Sequence, residues 1–107
     1  MYGEIYSSVK RWLQEISLKY QGKVKITVKN DSPGHFGADV DTDRCFGELI
    51  VSEGGFRPYR YVSFTVLDSR ADTAQQPVFV YFDSEKDTPG DVLRGLDKGI
   101  AFIITDI

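Results

Sequence analysis

The first twenty residues have the hydrophobic spacing of an amphipathic helix. Their apolar positions recur every three or four residues, which places them on one side of a helix with about 3.6 residues per turn. These positions are Ile5, Val9, Trp12, Leu13, Ile16 and Tyr20. Gly22 follows them, and glycine accepts the left-handed backbone conformation with which many helices end. The spacing therefore predicts a helix over residues 2–20.

The hydrophobic period then falls to two, which is the period of a half-buried strand. Val24, Ile26 and Val28 alternate with three lysines and a threonine across residues 23–29. Three further segments rich in β-branched and aromatic residues also predict strands, over residues 46–53, 59–68 and 77–83. The segment 59–68 is apolar on both sides, so it is predicted to be a central strand.

Residues 88–91 have the sequence of a helix start. Thr88 is a favourable N-cap, Pro89 suits the first helical position, and Asp91 places a negative charge at the positive end of the helix dipole. The apolar side of this predicted helix consists of Val92, Leu93, Leu96 and Ile100. Residues 100–104 fit either the end of this helix or a short fifth strand, and periodicity leaves that choice open.

The order and spacing of these elements predict the fold. Short connections between the last three predicted strands favour an antiparallel meander. The predicted fold is a two-layer α+β domain with an N-terminal helix, a four-stranded antiparallel meander and a C-terminal helix, with both helices on one face of the sheet. Because 107 residues is the length of one domain, residues 1–107 are expected to fold as a single unit.

The composition indicates the cellular compartment and the class of partner of this domain. Cys45 is the single cysteine, so no internal disulfide can form, and a reducing compartment such as the cytoplasm is expected. No apolar run is long enough for a membrane helix, so no membrane partner is expected. The net charge is −3, with six basic residues against two acids in the first 30 residues and seven against fourteen in the rest. That asymmetry disfavours a protein that coats nucleic acid and favours a basic protein partner.

The connection between the first two predicted strands, residues 30–44, is long and acidic. It contains His35 together with Asp31, Asp39, Asp41 and Asp43. Three alternating aspartates look like the start of a calcium loop, but an arginine occupies the sixth position, where glycine is needed, and an isoleucine the twelfth, where glutamate is needed. Residues 30–44 are therefore predicted to be a solvated acidic loop or a docking surface for a cationic partner, with no bound metal.

No group of residues predicts catalysis. His35 and Cys45 are the residue types of a thiol catalyst, but their separation of ten residues gives no reason for them to meet. Gly54 and Gly55 precede no predicted helix, so no phosphate-binding loop is indicated. The chain is accordingly predicted not to be an enzyme and to need no cofactor.

Aromatic residues on the predicted sheet suggest a binding face. Two helices can cover only one side of a four-stranded sheet, so the other side is either solvated or buried by another chain. Tyr59, Tyr61, Phe79 and Tyr81 lie on predicted strands, and tyrosine is enriched where binding energy concentrates. Ordinary packing of these rings in a core is the alternative, which the sequence leaves open.

Two other functions remain open as alternatives. In the first, the chain is a homodimeric accessory or structural module that buries its aromatic sheet face against a second copy. In the second, sheet aromatics stack RNA bases beside Lys23, Lys25 and Lys29. The RNA alternative lacks the aromatic signature of an RNA-recognition motif, and the net negative charge disfavours it.

The whole chain resembles small immunity proteins of bacterial polymorphic toxin and contact-dependent growth inhibition systems. The likeness lies in the acidic α+β pattern with its N-terminal helix and the strand segments FGELIV and YRYVSFTVLD. This resemblance implies a cytoplasmic protein that neutralises the toxic domain of a cognate effector, often a nuclease, by tight one-to-one binding. A nuclease presents a positive cleft to its substrate, which an acidic inhibitor can occupy. The residues predicted to bind the toxin are Asp31, His35, Asp39, Asp41, Asp43, Glu48 and Glu53, with Tyr59 and Tyr61 as anchors.

Overall fold

The structure, a computed structural model, describes residues 2–54, 60–69 and 76–105. These residues form a helix, five β-strands and a second helix, so the predicted α+β class is confirmed. The elements are α1 (Tyr2–Lys19), β1 (Lys25–Ser32), β2 (His35–Asp41), β3 (Cys45–Ser52), β4 (Val62–Asp68), β5 (Phe79–Phe82) and α2 (Pro89–Ile104). Within the described residues, neither helix is both long enough and apolar enough to cross a membrane.

Helix α1 follows the apolar spacing that predicts it. Its buried residues are Ile5, Val9, Trp12, Leu13 and Ile16. The helix ends at Lys19, one residue before the predicted end. Gly22 then has a φ of 81°, in the left-handed region that favours glycine. This conformation lets the chain turn from α1 into β1.

The five strands form one antiparallel sheet in chain order, β1-β2-β3-β4-β5. The predicted meander is confirmed, but the predicted number of four strands is wrong. The additional strand is β2, which lies inside residues 30–44, where the sequence predicts a loop. Phe36, Ala38 and Val40 are buried on one side of β2, and the other side carries the half-buried His35, Asp39 and Asp41 together with the buried Gly37. The period of two is therefore present, but glycine and aspartate, which are depleted in strands, obscure it.

The other predicted strands differ from the observed ones mainly at their ends. The segment 46–53 corresponds to β3 within one residue at each end. The segment 59–68 corresponds to β4, which begins at Val62, and Tyr59 lies outside the described residues. The segment 77–83 is shortened to the four residues of β5. Because β2 is present, β3 is the central strand of the sheet, and β4 lies next to the edge.

Helix α2 begins at the predicted cap. The Thr88 hydroxyl accepts a hydrogen bond from the backbone N–H of Asp91 at 3.2 Å, and the Asp91 carboxylate accepts one from the backbone N–H of Thr88 at 2.9 Å. This reciprocal pair is a capping box, which satisfies two backbone groups at the helix start. The helix continues to Ile104, so residues 100–104 are helical and do not form a strand.

Two glycines allow α2 to lie directly on the sheet. A Cβ atom at Gly95 would come within 2.5 Å of the Tyr81 ring, and one at Gly99 would come within 2.6 Å of the Phe64 ring. Both distances are far below van der Waals contact. The rings of β4 and β5 therefore occupy the space that any larger residue at these positions would need.

Both helices pack against the same face of the sheet, which we call the covered face. Phe36 and Phe64 are fully buried there. The two helices also contact each other, because the Trp12 indole N–H donates to the Asp97 carboxylate at 2.7 Å. The Trp12 ring packs edge-on against Phe64, with centroids 6.2 Å apart. The core thus lies between two helices and one side of the sheet.

Arg44 stabilises the C-terminal end of α2, whose own last turn has no basic residue. Its guanidinium donates to the carbonyl oxygens of Phe102 at 2.7 Å and Thr105 at 2.6 Å. A positive charge is favourable here, because the unpaired carbonyl groups of a helix lie at this end. The Asp68 carboxylate lies 3.4 Å from Arg44 Nε and adds an ion pair. These contacts fix the start of β3 against α2.

Candidate interaction surface on the open face of the sheet

The sheet has a second face, opposite the helices, that no described element covers, and we call it the open face. Alternate residues of a strand point to opposite faces, so the positions that alternate with the core residues define it, and among them Ser63 is buried. These positions are Lys25 and Thr27 on β1, His35, Asp39 and Asp41 on β2, Phe46, Glu48 and Ile50 on β3, Ser63, Thr65 and Leu67 on β4, and Val80 and Phe82 on β5. Charged residues are concentrated on β1 and β2, and apolar residues on β3 to β5.

Three carboxylates form the acidic part of the open face, and we call Asp39, Asp41 and Glu48 the acidic triad. Asp39 and Glu48 are direct cross-strand partners between β2 and β3. Asp41 follows Asp39 two positions along the same face. Like charges directly opposite each other destabilise a sheet, so this arrangement opposes folding. A cation near the acidic triad would relieve that repulsion.

One lysine approaches the acidic triad from a β-bulge. The register of β1 against β2 shifts between Val28 and Asn30, which leaves Lys29 at the bulge. Its Nζ lies 3.5 Å from a carboxylate oxygen of Asp39 and 3.7 Å from one of Glu48. Both distances exceed the usual hydrogen-bond range of about 2.7–3.2 Å. Lys29 therefore neutralises the two carboxylates only in part.

Asp41, in the acidic triad, has a raised pKa. Partial burial raises the pKa of Asp41, and the charge of Asp39 raises it further. A hydrogen bond from the Gly47 backbone and the charges of Lys25 and Lys29 act in the opposite direction without cancelling the rise. The folded chain therefore holds the Asp41 carboxylate in its charged form at a cost.

Exposed apolar side chains lie next to the acidic triad. Phe46 pairs directly with Leu67 across β3 and β4, and Val80 pairs with Thr65 across β4 and β5. Phe46 is 49% exposed and Val80 is 43% exposed. We call Phe46, Leu67 and Val80 the apolar patch. Exposed apolar surface rimmed by charge is typical of a surface that binds another protein.

Asp31, a predicted toxin contact, belongs to a different part of the molecule. Its carboxylate accepts hydrogen bonds from the Tyr6 hydroxyl at 2.6 Å and from the Lys10 ammonium at 2.8 Å. The bond from Lys10, followed by the bond from Tyr6, lowers the pKa of Asp31. These bonds join β1 to α1. Asp31 is therefore engaged by its own chain, on the side of the sheet that carries the helices.

Glu53 and Tyr61 lie at the end of the sheet where α1 begins. The backbone N–H of Glu53 donates to the carbonyl oxygen of Gly34 at 2.8 Å. The Tyr61 ring packs edge-on against Tyr2, with centroids 5.4 Å apart, and the Arg60 guanidinium lies 4.8 Å from its centroid. Burial raises the pKa of Tyr2, and the nearby charge of Glu53 raises it further. Both residues are several register positions from the acidic triad.

The remaining predicted contacts lie at the two ends of β2 or outside the described residues. His35 begins β2 and faces Ser52, at the end of the open face away from Asp41. Asp43 is exposed in the turn just beyond Asp41. Tyr59 lies outside the described residues. The structure therefore brings Asp43 close to the acidic triad and places the other described candidates elsewhere.

Phe79 and Tyr81, two of the aromatic residues that suggest a binding face, are on the covered face instead. The Phe79 ring contacts the Phe102 ring of α2, with centroids 5.6 Å apart, and Tyr81 packs against the core. The alternative of ordinary core packing is thus confirmed for Phe79 and Tyr81. Alternation identifies which residues share a face, but it does not identify which face meets the helices. Phe46 and Val80 occupy the open side.

No motif in the sequence points to Asp83, yet its carboxylate is fully buried and holds three backbone groups. Oδ1 accepts hydrogen bonds from the N–H groups of Arg60, Tyr61 and Val62 at 3.0, 2.8 and 2.8 Å. Oδ2 lies 3.7 Å from Nε of Arg60. Arg60 also donates to two carbonyl oxygens of the loop before α2, at 3.3 and 3.2 Å. These contacts fix the start of β4, which is a structural role.

A shallow groove continues from Asp41 beyond the end of the sheet. Its lining includes Lys23, Lys25, Asp43 and Arg44, so both signs of charge are present. The Arg44 guanidinium is already bonded to the end of α2. Within residues 2–54, 60–69 and 76–105, no three His, Cys, Asp or Glu side chains are grouped so that they could hold a metal ion. The groove therefore adds mixed charge beside the acidic triad.

No model of a known protein family, no curated protein and no solved structure matches this chain. Its function therefore has to be inferred from the surfaces of the fold. Among the described surfaces, the open face combines opposed carboxylates with exposed apolar side chains on a rigid sheet. That combination makes it the candidate interaction surface.

Proposed function

We propose that this chain is an immunity protein, which binds a cognate bacterial toxin domain one to one in the cytoplasm and neutralises it. The observation that carries the proposal is the open face, where the acidic triad adjoins the apolar patch. Protein interfaces combine an apolar centre with charges that guide association. The net charge of −3 supports attraction to a basic toxin.

A nuclease is the toxin class that fits this surface best. A nuclease binds a polyanion, so its active cleft is positively charged. An acidic protein seated over that cleft excludes the nucleic acid by occupying the same charges. This inhibition needs no catalytic residue and no cofactor, and it consumes one inhibitor per toxin molecule.

Coexpression and titration test this proposal together. The toxin domain encoded beside this chain's gene is produced in bacteria with and without the chain. We expect growth only when the chain is present, and a one-to-one complex of the purified proteins whose association slows as salt concentration rises. Growth arrest despite coexpression, with no complex by calorimetry, would refute the proposal.

A homodimeric module is the second candidate, and the edge strand β5 favours it. This strand is one edge of the sheet, and residues 77–82 include no charged residue. Edge strands without charge pair readily with other strands. Sedimentation of the purified chain over a range of concentrations distinguishes the two candidates. A dimer that persists at low concentration supports the module, whereas a monomer that binds the toxin domain supports the immunity protein.

A further inference from the structure

Among the described residues, two lysines lie beside the three carboxylates of the acidic triad: Lys25 is the cross-strand partner of Asp41, and Lys29 lies near Asp39 and Glu48. The described part of this surface therefore keeps an excess negative charge. Asp39 and Glu48 face each other directly across β2 and β3. The Lys29 ammonium group lies between them, 3.5 Å from a carboxylate oxygen of Asp39 and 3.7 Å from one of Glu48. A better placed cation would therefore gain interaction energy with both carboxylates.

Lys29 is held loosely enough to be displaced. It lies on the edge strand β1, at the bulge, and its side chain is 52% exposed. Exposed ion pairs of this kind contribute little to stability, so their loss on binding costs little. An arginine is a stronger competitor, because its planar guanidinium can donate two parallel hydrogen bonds to a carboxylate.

The apolar patch adjoins the acidic triad through the strand register. Asp41 is the direct cross-strand partner of Phe46, and Phe46 in turn pairs with Leu67. Direct cross-strand partners have Cβ atoms about 4.5–5.5 Å apart. The cation position at Glu48 and the apolar position at Phe46 are two residues apart on β3, which is about 6.6 Å along a strand. A group that docks here therefore needs a cation and an apolar side chain at about that separation. Nucleic acid does not fit, because it would bring phosphates against three carboxylates.

We propose that Lys29 is an internal counter-ion, and that an arginine of the toxin domain replaces it between Asp39 and Glu48 in the complex. An apolar side chain two residues from that arginine on an extended segment packs on Phe46 and Leu67. This inference rests on the proposed function for the identity of the partner. It goes further by naming the chemical groups that dock and the group that they displace.

Binding of the toxin domain by open-face variants tests the proposal. The double variant Asp39→Asn with Glu48→Gln should weaken binding at least about tenfold, because it removes the charges that receive the arginine. Phe46→Ser should also weaken binding at least about tenfold, because it removes the apolar contact. Lys29→Met should tighten binding about two- to fivefold, because it removes the competing cation and keeps a long unbranched side chain.

Matched variants on α1 control for changes of charge and hydrophobicity. Glu15→Gln, Lys19→Met and Leu18→Ser alter exposed side chains far from the open face, and each should change affinity less than about twofold. Thermal unfolding of every variant checks that it is folded. If acidic-triad variants bind as tightly as the controls, or if Lys29→Met binds more weakly, the internal counter-ion is refuted and the immunity function stands.

A synthetic peptide separates the chemistry of the surface from the identity of the partner. A short peptide in which single serines separate arginine from leucine, so that both side chains lie on one face when the peptide is extended, is titrated into the isotopically labelled chain and followed by NMR. We expect amide shifts centred on the acidic triad and Phe46, larger for Lys29→Met than for the unmodified chain. Shifts centred elsewhere would overturn the inference. A chain that binds the peptide in this way but not the toxin domain supports the surface chemistry and refutes the immunity function.

Discussion

The covered face of the sheet is filled by apolar rings, whereas the open face holds opposed carboxylates and half-exposed apolar side chains. Phe64 is fully buried between Trp12 and the backbone of α2. Phe46, on the neighbouring strand, is half exposed. Around Phe64 the covered face is closely packed and apolar, whereas on the open face two like charges lie directly opposite each other at Asp39 and Glu48.

This difference is informative because both faces belong to the same strands. A sheet that only needed to fold would not place two carboxylates directly opposite each other, with an exposed phenylalanine beside a third. Departures from local rules are expected at functional sites. Substitutions on the covered face should therefore cost stability, whereas substitutions on the open face should alter binding at little cost to stability.

Replacing a phenylalanine by alanine on each face should give the largest difference in the free energy of unfolding. Phe64→Ala should lower the free energy of unfolding by about 3–5 kcal/mol, because it opens a cavity beneath α2. Phe46→Ala should lower it by about 1 kcal/mol, because about half of that side chain is already exposed. Urea titration of both variants measures the difference. Equal losses would mean that the open face is buried against something in solution.

A buried and a more exposed carboxylate should give the next largest difference in the free energy of unfolding. Asp83→Ala should lower the free energy of unfolding by about 3 kcal/mol, because it removes the acceptor of the Tyr61 and Val62 backbone N–H groups and the ion pair with Arg60. Asp39→Ala should change it by no more than about 0.5 kcal/mol, because it also removes the repulsion from Glu48. Denaturant unfolding of both variants and of the unmodified chain measures these changes. An Asp83→Ala variant as stable as the unmodified chain would contradict the structural role of that carboxylate.

A pair of glycines on α2 tests the close approach of the helix to the sheet. Gly99→Ala should lower the free energy of unfolding by roughly 1–2 kcal/mol, because the added Cβ meets the Phe64 ring. Gly90→Ala should raise it by up to about 1 kcal/mol, since alanine favours helix and the nearest atoms are 3.7 Å away. Thermal unfolding checks both signs. Stabilisation by Gly99→Ala would show that α2 lies farther from β4.

Two aspartates should give the smallest contrast, with opposite dependence on pH. Hydrogen bonds from Lys10 and Tyr6 lower the pKa of Asp31, so its stabilising effect is present at neutral pH and is lost as pH falls through the lowered pKa. Burial raises the pKa of Asp41, so its charged form is destabilising at neutral pH and that penalty disappears as pH falls. Asp31→Asn should slightly lower the Tm at pH 7, and Asp41→Asn should slightly raise it.

Melting curves of Asp31→Asn and Asp41→Asn, recorded from about pH 7 down to about pH 2, test these two predictions. The difference in Tm between each variant and the unmodified chain should shrink as the pH falls. An Asp41→Asn variant that is less stable at neutral pH would show that this carboxylate contributes to folding. Its place in the acidic triad would then need no functional explanation.

The sequence predicts well the elements that depend only on residues a few positions apart. The apolar stripe of α1 and the capping box of α2 depend on residues a few positions apart, so spacing is sufficient. The sequence does not predict strand β2, because its alternation at Phe36, Ala38 and Val40 competes with residues that are depleted in strands. The alternation across 36–40 is the local signal for this strand.

The candidate site was only partly predictable, because it depends on pairing between strands. Asp39, Asp41 and Glu48 were all among the predicted contacts, but their arrangement on one face depends on the register of β2 against β3. Asp31 has the same chemistry and is close in sequence, yet it faces α1. Phe46 was not singled out as a contact, because a phenylalanine on a strand is usually part of the core.

The hydrogen bond between Trp12 and Asp97 joins residues 85 positions apart, whereas every pair of adjacent strands is also adjacent along the chain. Hairpins of a meander can form early from local encounters, but contact between the first and last helices requires closure of nearly the whole polypeptide. Trp12 is the single tryptophan. Its fluorescence therefore reports the closing event of folding in the unmodified protein, without an added label.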